Sequence, residues 1–269
     1  MTDMMTAQTD PYFIDFPARV ERIQAAMSEA GVDVYLGSRL RTLSWTLDAF
    51  CPWRSFVVIP PQGLPTAITF VIDAARVADE SWLDEDHVWG YGPMGGQDQI
   101  ALLSDLIEPH LQGGKGVVGM ESGMATYLPE GNLTQYEYQR LQAALPEARF
   151  VNAHDIIDRL SLIKDEGTIH RFRKASCIVD IGHQAVREAI QDGGYRGMTE
   201  TEIAGLAAYA MRKAGSEWEW SFTGGNEIAS GYRTGLAAGA CTPASRRELQ
   251  AGEPLMVDLH SMFQLGLGD

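Results

Sequence analysis

Short apolar runs alternate with helical patterns through the first half of this 269-residue chain. Val32–Leu36, Phe56–Ile59, Thr66–Ile72 and Gly116–Met120 have the length and composition of strands. Before the first of them, Val20, Ile23, Met27 and Ala30 recur at helical spacing, which predicts a helix from near Pro17 with Gly31 placed to end it. Further helical patterns fall around Gln97–Leu111 and Thr134–Ala144. Such alternation over about 150 residues predicts an α/β domain with a mixed sheet.

The texture changes from Asp155 onward. A long amphipathic stretch from about Asp165 to Gln191 carries Ile169, Phe172, Ile178, Ile181 and Val186, and the turn Asp192-Gly193-Gly194 ends it. A second helix opens at Thr199 with Glu202 three residues on, the capping-box spacing. Trp218–Phe222 reads as a strand, and a Gly/Ala-rich stretch follows to Cys241. The domain boundary is therefore expected near residue 158, giving domains 1–158 and 159–269.

Charge narrows the partners. A net charge of −15 argues against a nucleic-acid partner, since phosphate binding needs an excess of Lys and Arg. The first ten residues lack a basic region followed by an apolar core, so no secretory signal is expected. No apolar run approaches the roughly 18 residues a membrane span requires, and no membrane partner is expected. Cys51, Cys177 and Cys241 are odd in number and far apart, which suits reduced thiols in a cytoplasmic protein.

The chemistry concentrates at the C-terminal end. Leu255, Met256 and Val257 form an apolar run that delivers Asp258 at its end, and Asp269 follows eleven positions later. A hairpin turning between Phe263 and Gln264 would set these two carboxylates opposite each other, roughly 5 Å apart at the backbone. Like charges that close need a proton or a cation between them. Oxygen ligands so arranged suit Mn²⁺, Mg²⁺, Fe²⁺, Co²⁺ or Zn²⁺, and a bridged pair of such ions can activate water. His260 lies two residues after Asp258, on the same strand face, as an additional ligand, a proton carrier, or a histidine simply hydrogen-bonded beside a carboxylate. Gly113-Gly114-Lys115-Gly116 lacks the upstream glycine and the following Ser/Thr of a phosphate loop and reads as a turn. Trp218 and Trp220 share one face of their expected strand, as core or as a pocket mouth.

These residues resemble the creatinase/prolidase/aminopeptidase P family, whose catalytic domain has the pita-bread fold. The stretch from about Arg19 to Asp155 is similar to the family's accessory α/β domain. Ile163-Lys164-Asp165-Glu166, with Ile169 and Ala175, is like the first helix of its catalytic domain, and Gly197-Met198-Thr199-Glu200 like the turn before the second. Thr242-Pro243, Arg246-Arg247, Leu249 and Gly252-Glu253 lead into Val257-Asp258 as the family's strand leads into its first metal-binding aspartate. The spacing to Asp269 matches the second. The resemblance implies a creatinase-like N-terminal α/β domain followed by an incomplete α+β pita-bread domain. It also implies two divalent ions (Mn, Co or Zn) in the complete enzyme, with Asp258 holding one and Asp269 bridging both, and hydrolysis of the bond before a proline. A homodimer and a small-molecule or short peptide substrate are the implied partners.

Two departures shape the functional expectation. Cys241 stands seventeen residues before Asp258, where the family's peptidases carry a histidine that helps to bind substrate. A thiol cannot donate the same charge-assisted hydrogen bond, so Cys241 is a small buried residue or a catalytic thiol, and His260 marks a site retuned for another substrate. The family's remaining ligands, one histidine and two glutamates, come after its second aspartate. A lone aspartate pair holds metal weakly, because hard dications want about six donors. The chain is therefore expected to be the front part of an enzyme and inactive alone. Three readings follow: a metal-dependent hydrolase of small amides or peptides, Xaa-Pro dipeptidase-like or aminopeptidase P-like; a creatinase-like C–N hydrolase or osmolyte lyase; and a non-catalytic binding protein that keeps the fold.

Overall fold

Val34–Gly37 (β1) and Phe56–Ile59 (β2) are buried at every position, which a strand allows only when both faces of its sheet are covered. In the computed structural model, which describes residues 10–94, 96–124, 130–217, 226–236 and 242–269, both faces are covered by helices. The chain forms two units, one of Asp15–Lys164 and one of Asp165–Asp269 that also holds the described residues up to Ile14.

The first unit is built on a six-stranded mixed sheet of order β4-β3-β2-β1-β5-β6. Its outer strands are β3 (Thr66–Phe70), β4 (Val88–Tyr91), β5 (Val117–Met120) and β6 (Arg149–Asn152). β1 pairs antiparallel with β2 and parallel with β5; β2–β3 is antiparallel, and β3–β4 and β5–β6 are parallel. Alternation along β1 and β2 sorts the core into two layers. Tyr35, Val57 and Ile59 face helices α1 (Phe16–Ala30), α2 (Leu40–Leu47), α3 (Ala74–Glu80) and α6 (His154–Leu162). Val34, Leu36, Phe56 and Val58 face α4 (Gln99–Ile107) and α5 (Gln135–Ala144). The mixed sheet predicted from sequence is present, with the edge strands β4 and β6 and the short helices α2, α3 and α6 in addition.

Local chemistry sets the helix ends. The Asp15 carboxylate accepts the Ala18 N–H to open α1, and Gly31, at φ 64°, closes it by donating to the Met27 and Ser28 carbonyls. In the second unit, Asp165 caps α7 (Glu166–Ile190), and Thr199 with Glu202 forms a full capping box on α8 (Glu200–Lys213). The apolar stripe Ile178, Val179 and Val186 of α7 meets Ile203, Ala207 and Met211 of α8 in one core. Gly182 permits the approach: a Cβ there would lie 2.9 Å from both Met211 and Leu259 side-chain atoms. Two antiparallel strand pairs complete the unit, β7 (Glu227–Ser230) with β8 (Leu255–Asp258), and β9 (Ser261–Phe263) with β10 (Gly266–Gly268). β7 lies inside the Gly/Ala-rich stretch, where the sequence suggested no element. The strand expected at Trp218–Phe222 lies outside the described residues.

Candidate metal centre

The apolar run Leu255–Val257 is a strand, as its composition predicts, and Asp258 is its last residue. The hairpin after it turns one residue later than expected. Gly266 pairs with Phe263 and Gly268 with Ser261, so the two-residue turn is Gln264-Leu265, not one centred between Phe263 and Gln264. Both turn residues have positive φ, 44° and 61°, the twist a two-residue hairpin turn requires. The Gln264 carbonyl accepts from Arg171 Nη1 at 3.0 Å, and its N–H donates to Glu217 Oε2 at 2.9 Å. In this register the position opposite Asp269 falls to His260, and Asp258 instead pairs with Glu227 of β7. A shift in pairing of two positions leaves every side chain on its original face, so the same groups still converge.

Glycines seat the hairpin on α7. A Cβ at Gly266 would lie 2.7 Å from the Arg171 carbonyl carbon, and one at Gly268 would lie 2.4 Å from that of Ala175. The Ser261 hydroxyl donates to the Ala175 carbonyl at 2.8 Å, fixing the start of β9 to the same helix. Asn226, just before β7, accepts the His260 N–H through Oδ1 at 2.8 Å.

Asp258, His260 and Asp269 thereby come together, each offering a donor atom within 4.8 Å of the others. His260 Nε2 lies 3.4 Å from Asp258 Oδ1, and Nδ1 lies 3.9 Å from Asp269 Oδ1. The histidine side chain is only 12% exposed, whereas Asp258 is one-third exposed and Asp269 mostly exposed. His260 Nε2 and Asn226 Nδ2 are buried without a hydrogen-bond partner. Such an atom costs about 1–3 kcal/mol in a closed protein. Two carboxylates and one imidazole, its Nε2 buried and unpartnered, are a donor set that fits a divalent cation.

Glu200, the first residue of α8, holds the neighbouring backbone. Fully buried, it accepts from the Ser230 N–H and hydroxyl at 2.7 and 2.8 Å, from Arg233 Nε at 3.0 Å, and from the Ser245 N–H and hydroxyl at 2.9 and 2.6 Å. Burial alone would raise its pKa, but these donors outweigh it and hold the carboxyl below the usual range. Arg247 ties the same region together, donating to the Ser230 hydroxyl at 2.7 Å and to Glu253 Oε1 at 2.7 Å. Asn226 and Glu227 escaped the sequence reading, and Glu200 entered it only as part of the turn before the second helix. Asn226 and Glu227 sit among Gly and Ala, and no local pattern marks Glu200 as buried. Cys241 lies outside the described residues, as do Trp218 and Trp220.

This geometry coincides with what the chain is similar to. Residues 19–163 match the Creatinase/Prolidase N-terminal domain, and residues 170–269 match Metallopeptidase family M24. The chain belongs to the creatinase/prolidase family of M24 metallopeptidases. Its fold is the family's N-terminal α/β domain followed by part of the pita-bread domain. Among solved structures it resembles the prolidase from Pyrococcus furiosus, with TM-score 0.67 and 19% identity over 91% of this chain and 66% of that one. It also resembles the X-Pro aminopeptidase from Thermotoga maritima, with TM-score 0.67 and 22% identity over 91% and 61%. A curated relative, the ectoine hydrolase of Halomonas elongata, is 26% identical over 70% of this chain and 48% of its own length. The chain thus spans about half of that relative and less than two thirds of the two solved structures.

Proposed function

We propose that the protein is a metal-dependent hydrolase of a C–N bond in a small amide or peptide, with Asp258 and Asp269 as metal ligands. The observation that carries this reading is the convergence of both aspartates with the buried, unpartnered Nε2 of His260. A bound divalent ion would supply Lewis acidity towards a carbonyl oxygen and lower the pKa of water. The chain's own residues do the positioning. β8 delivers Asp258 at its end, the glycines of β10 seat Asp269 beside α7, and Asn226 fixes the His260 backbone.

Two substrate classes are supported. The prolidase and aminopeptidase folds favour an Xaa-Pro dipeptide, and the ectoine hydrolase relative favours ectoine. Cys241, at the position where the family's peptidases carry histidine, inclines the choice towards the second. The test is hydrolysis of Xaa-Pro dipeptides and of ectoine by the full-length protein, with and without chelator. Turnover of one substrate that chelator abolishes, and that Asp258→Asn reduces by at least a hundredfold, is the expected result. Turnover indifferent to both would sink the metal-dependent reading.

A further inference from the structure

The aspartates explain charge; they do not explain the histidine between them. His260 Nε2 is buried and 3.4 Å from Asp258 Oδ1, yet it makes no hydrogen bond there. The ring has little freedom to find another partner. The His260 backbone N–H donates to Asn226 Oδ1, Leu259 before it is in the core, and the Ser261 hydroxyl after it donates to the Ala175 carbonyl, so the backbone that carries the ring is fixed. Donor atoms about 2.1 Å from a shared ion lie about 3.0–3.4 Å apart, so the Nε2–Oδ1 separation matches two ligands of one cation better than it matches a strong hydrogen bond. Asp269 Oδ1 lies 3.9 Å from the other ring nitrogen, Nδ1, and its side chain is mostly exposed; all three residues offer a donor atom within 4.8 Å of one another.

We infer that His260 is a third metal ligand through Nε2, making the site one for cations that accept imidazole nitrogen (Zn²⁺, Co²⁺, Ni²⁺) in preference to Mg²⁺ or Ca²⁺. The inference rests on the proposed role of Asp258 and Asp269 and adds the class of ion they take. Carboxylates alone suit hard ions, whereas an imidazole moves the preference towards borderline ones. Asn226 is the positioning residue, since its side chain sets the backbone from which the imidazole projects.

The test is a Co²⁺ titration of the chain, followed by visible absorption, with Mg²⁺ as the competing ion. The unsubstituted protein is expected to bind Co²⁺ at least tenfold more tightly than Mg²⁺. His260→Ala and His260→Gln are expected to weaken Co²⁺ at least tenfold and to shift its absorption, while leaving Mg²⁺ affinity nearly unchanged. A Zn²⁺-induced shift of the His260 Nε2 resonance in the unsubstituted protein reads the same bond without any variant. If that shift is absent, or if both His260 variants bind Co²⁺ normally while Asp258→Asn does not, the histidine inference is overturned and the aspartate reading stands. Co²⁺ binding that is equal in the unsubstituted protein and in Asp258→Asn overturns both.

Discussion

Glu200 shows how much one carboxylate can organise when every donor around it is aimed inward. It joins the start of α8 to the end of β7 and to the segment before β8 through two serines and an arginine. Its folded pKa is depressed, so the stability it contributes is present above the ordinary glutamate value of about 4.3 and is lost as pH falls through the folded value. Glu200→Ala should therefore cost about 3 kcal/mol at neutral pH, because Arg233 and the serine donors lose their acceptor. The difference from the parent protein should shrink below about pH 4. Urea denaturation at several pH values measures both; a penalty independent of pH would mean that the carboxylate charge is not what matters.

At the scale of elements, the hairpin β9–β10 depends on glycine for its seat. Gly268→Ala would drive a methyl into the Ala175 carbonyl, so it should destabilise the protein by about 2 kcal/mol and weaken Co²⁺ binding although no ligand is changed. Gly205→Ala is the matched control. It lies on α8 with nothing near its added methyl, so it should be neutral or stabilise by up to about 1 kcal/mol. Thermal melts and metal titrations of the pair separate seating from general damage. The hairpin also marks the limit of what the sequence discloses. Where a cap announces an end, as at Asp15 and Gly31 or Thr199 and Glu202, the helix is legible residue by residue. β2 is legible from its apolar run alone. The turn is not, because Gln264 and Leu265 take positive φ without the Asn or Gly that usually signals it, held instead by Arg171 and Glu217 from distant parts of the chain. β7 is hidden for a related reason: its burial comes from tertiary packing that no local pattern records.

At the scale of the whole molecule, the sheet unit carries its own two-layered core, with apolar residues of β1 and β2 divided between opposite helix layers. Residues 15–164 expressed alone should fold cooperatively, with one thermal transition and dispersed amide resonances. A molten or aggregated product would show that this core needs the rest of the chain. The M24 part follows a different logic. β10 rests on main-chain atoms of α7, so the helix presents the hairpin with a shape that any residue able to form that helix would reproduce. Replacement of a glycine in β10 is therefore barred by the main chain of the helix itself, whatever side chains α7 carries, while Arg171 separately holds the turn. A seat made of main-chain atoms holds the end of β10 by shape more than by spelling, and a fold of TM-score 0.67 can coexist with 19% identity.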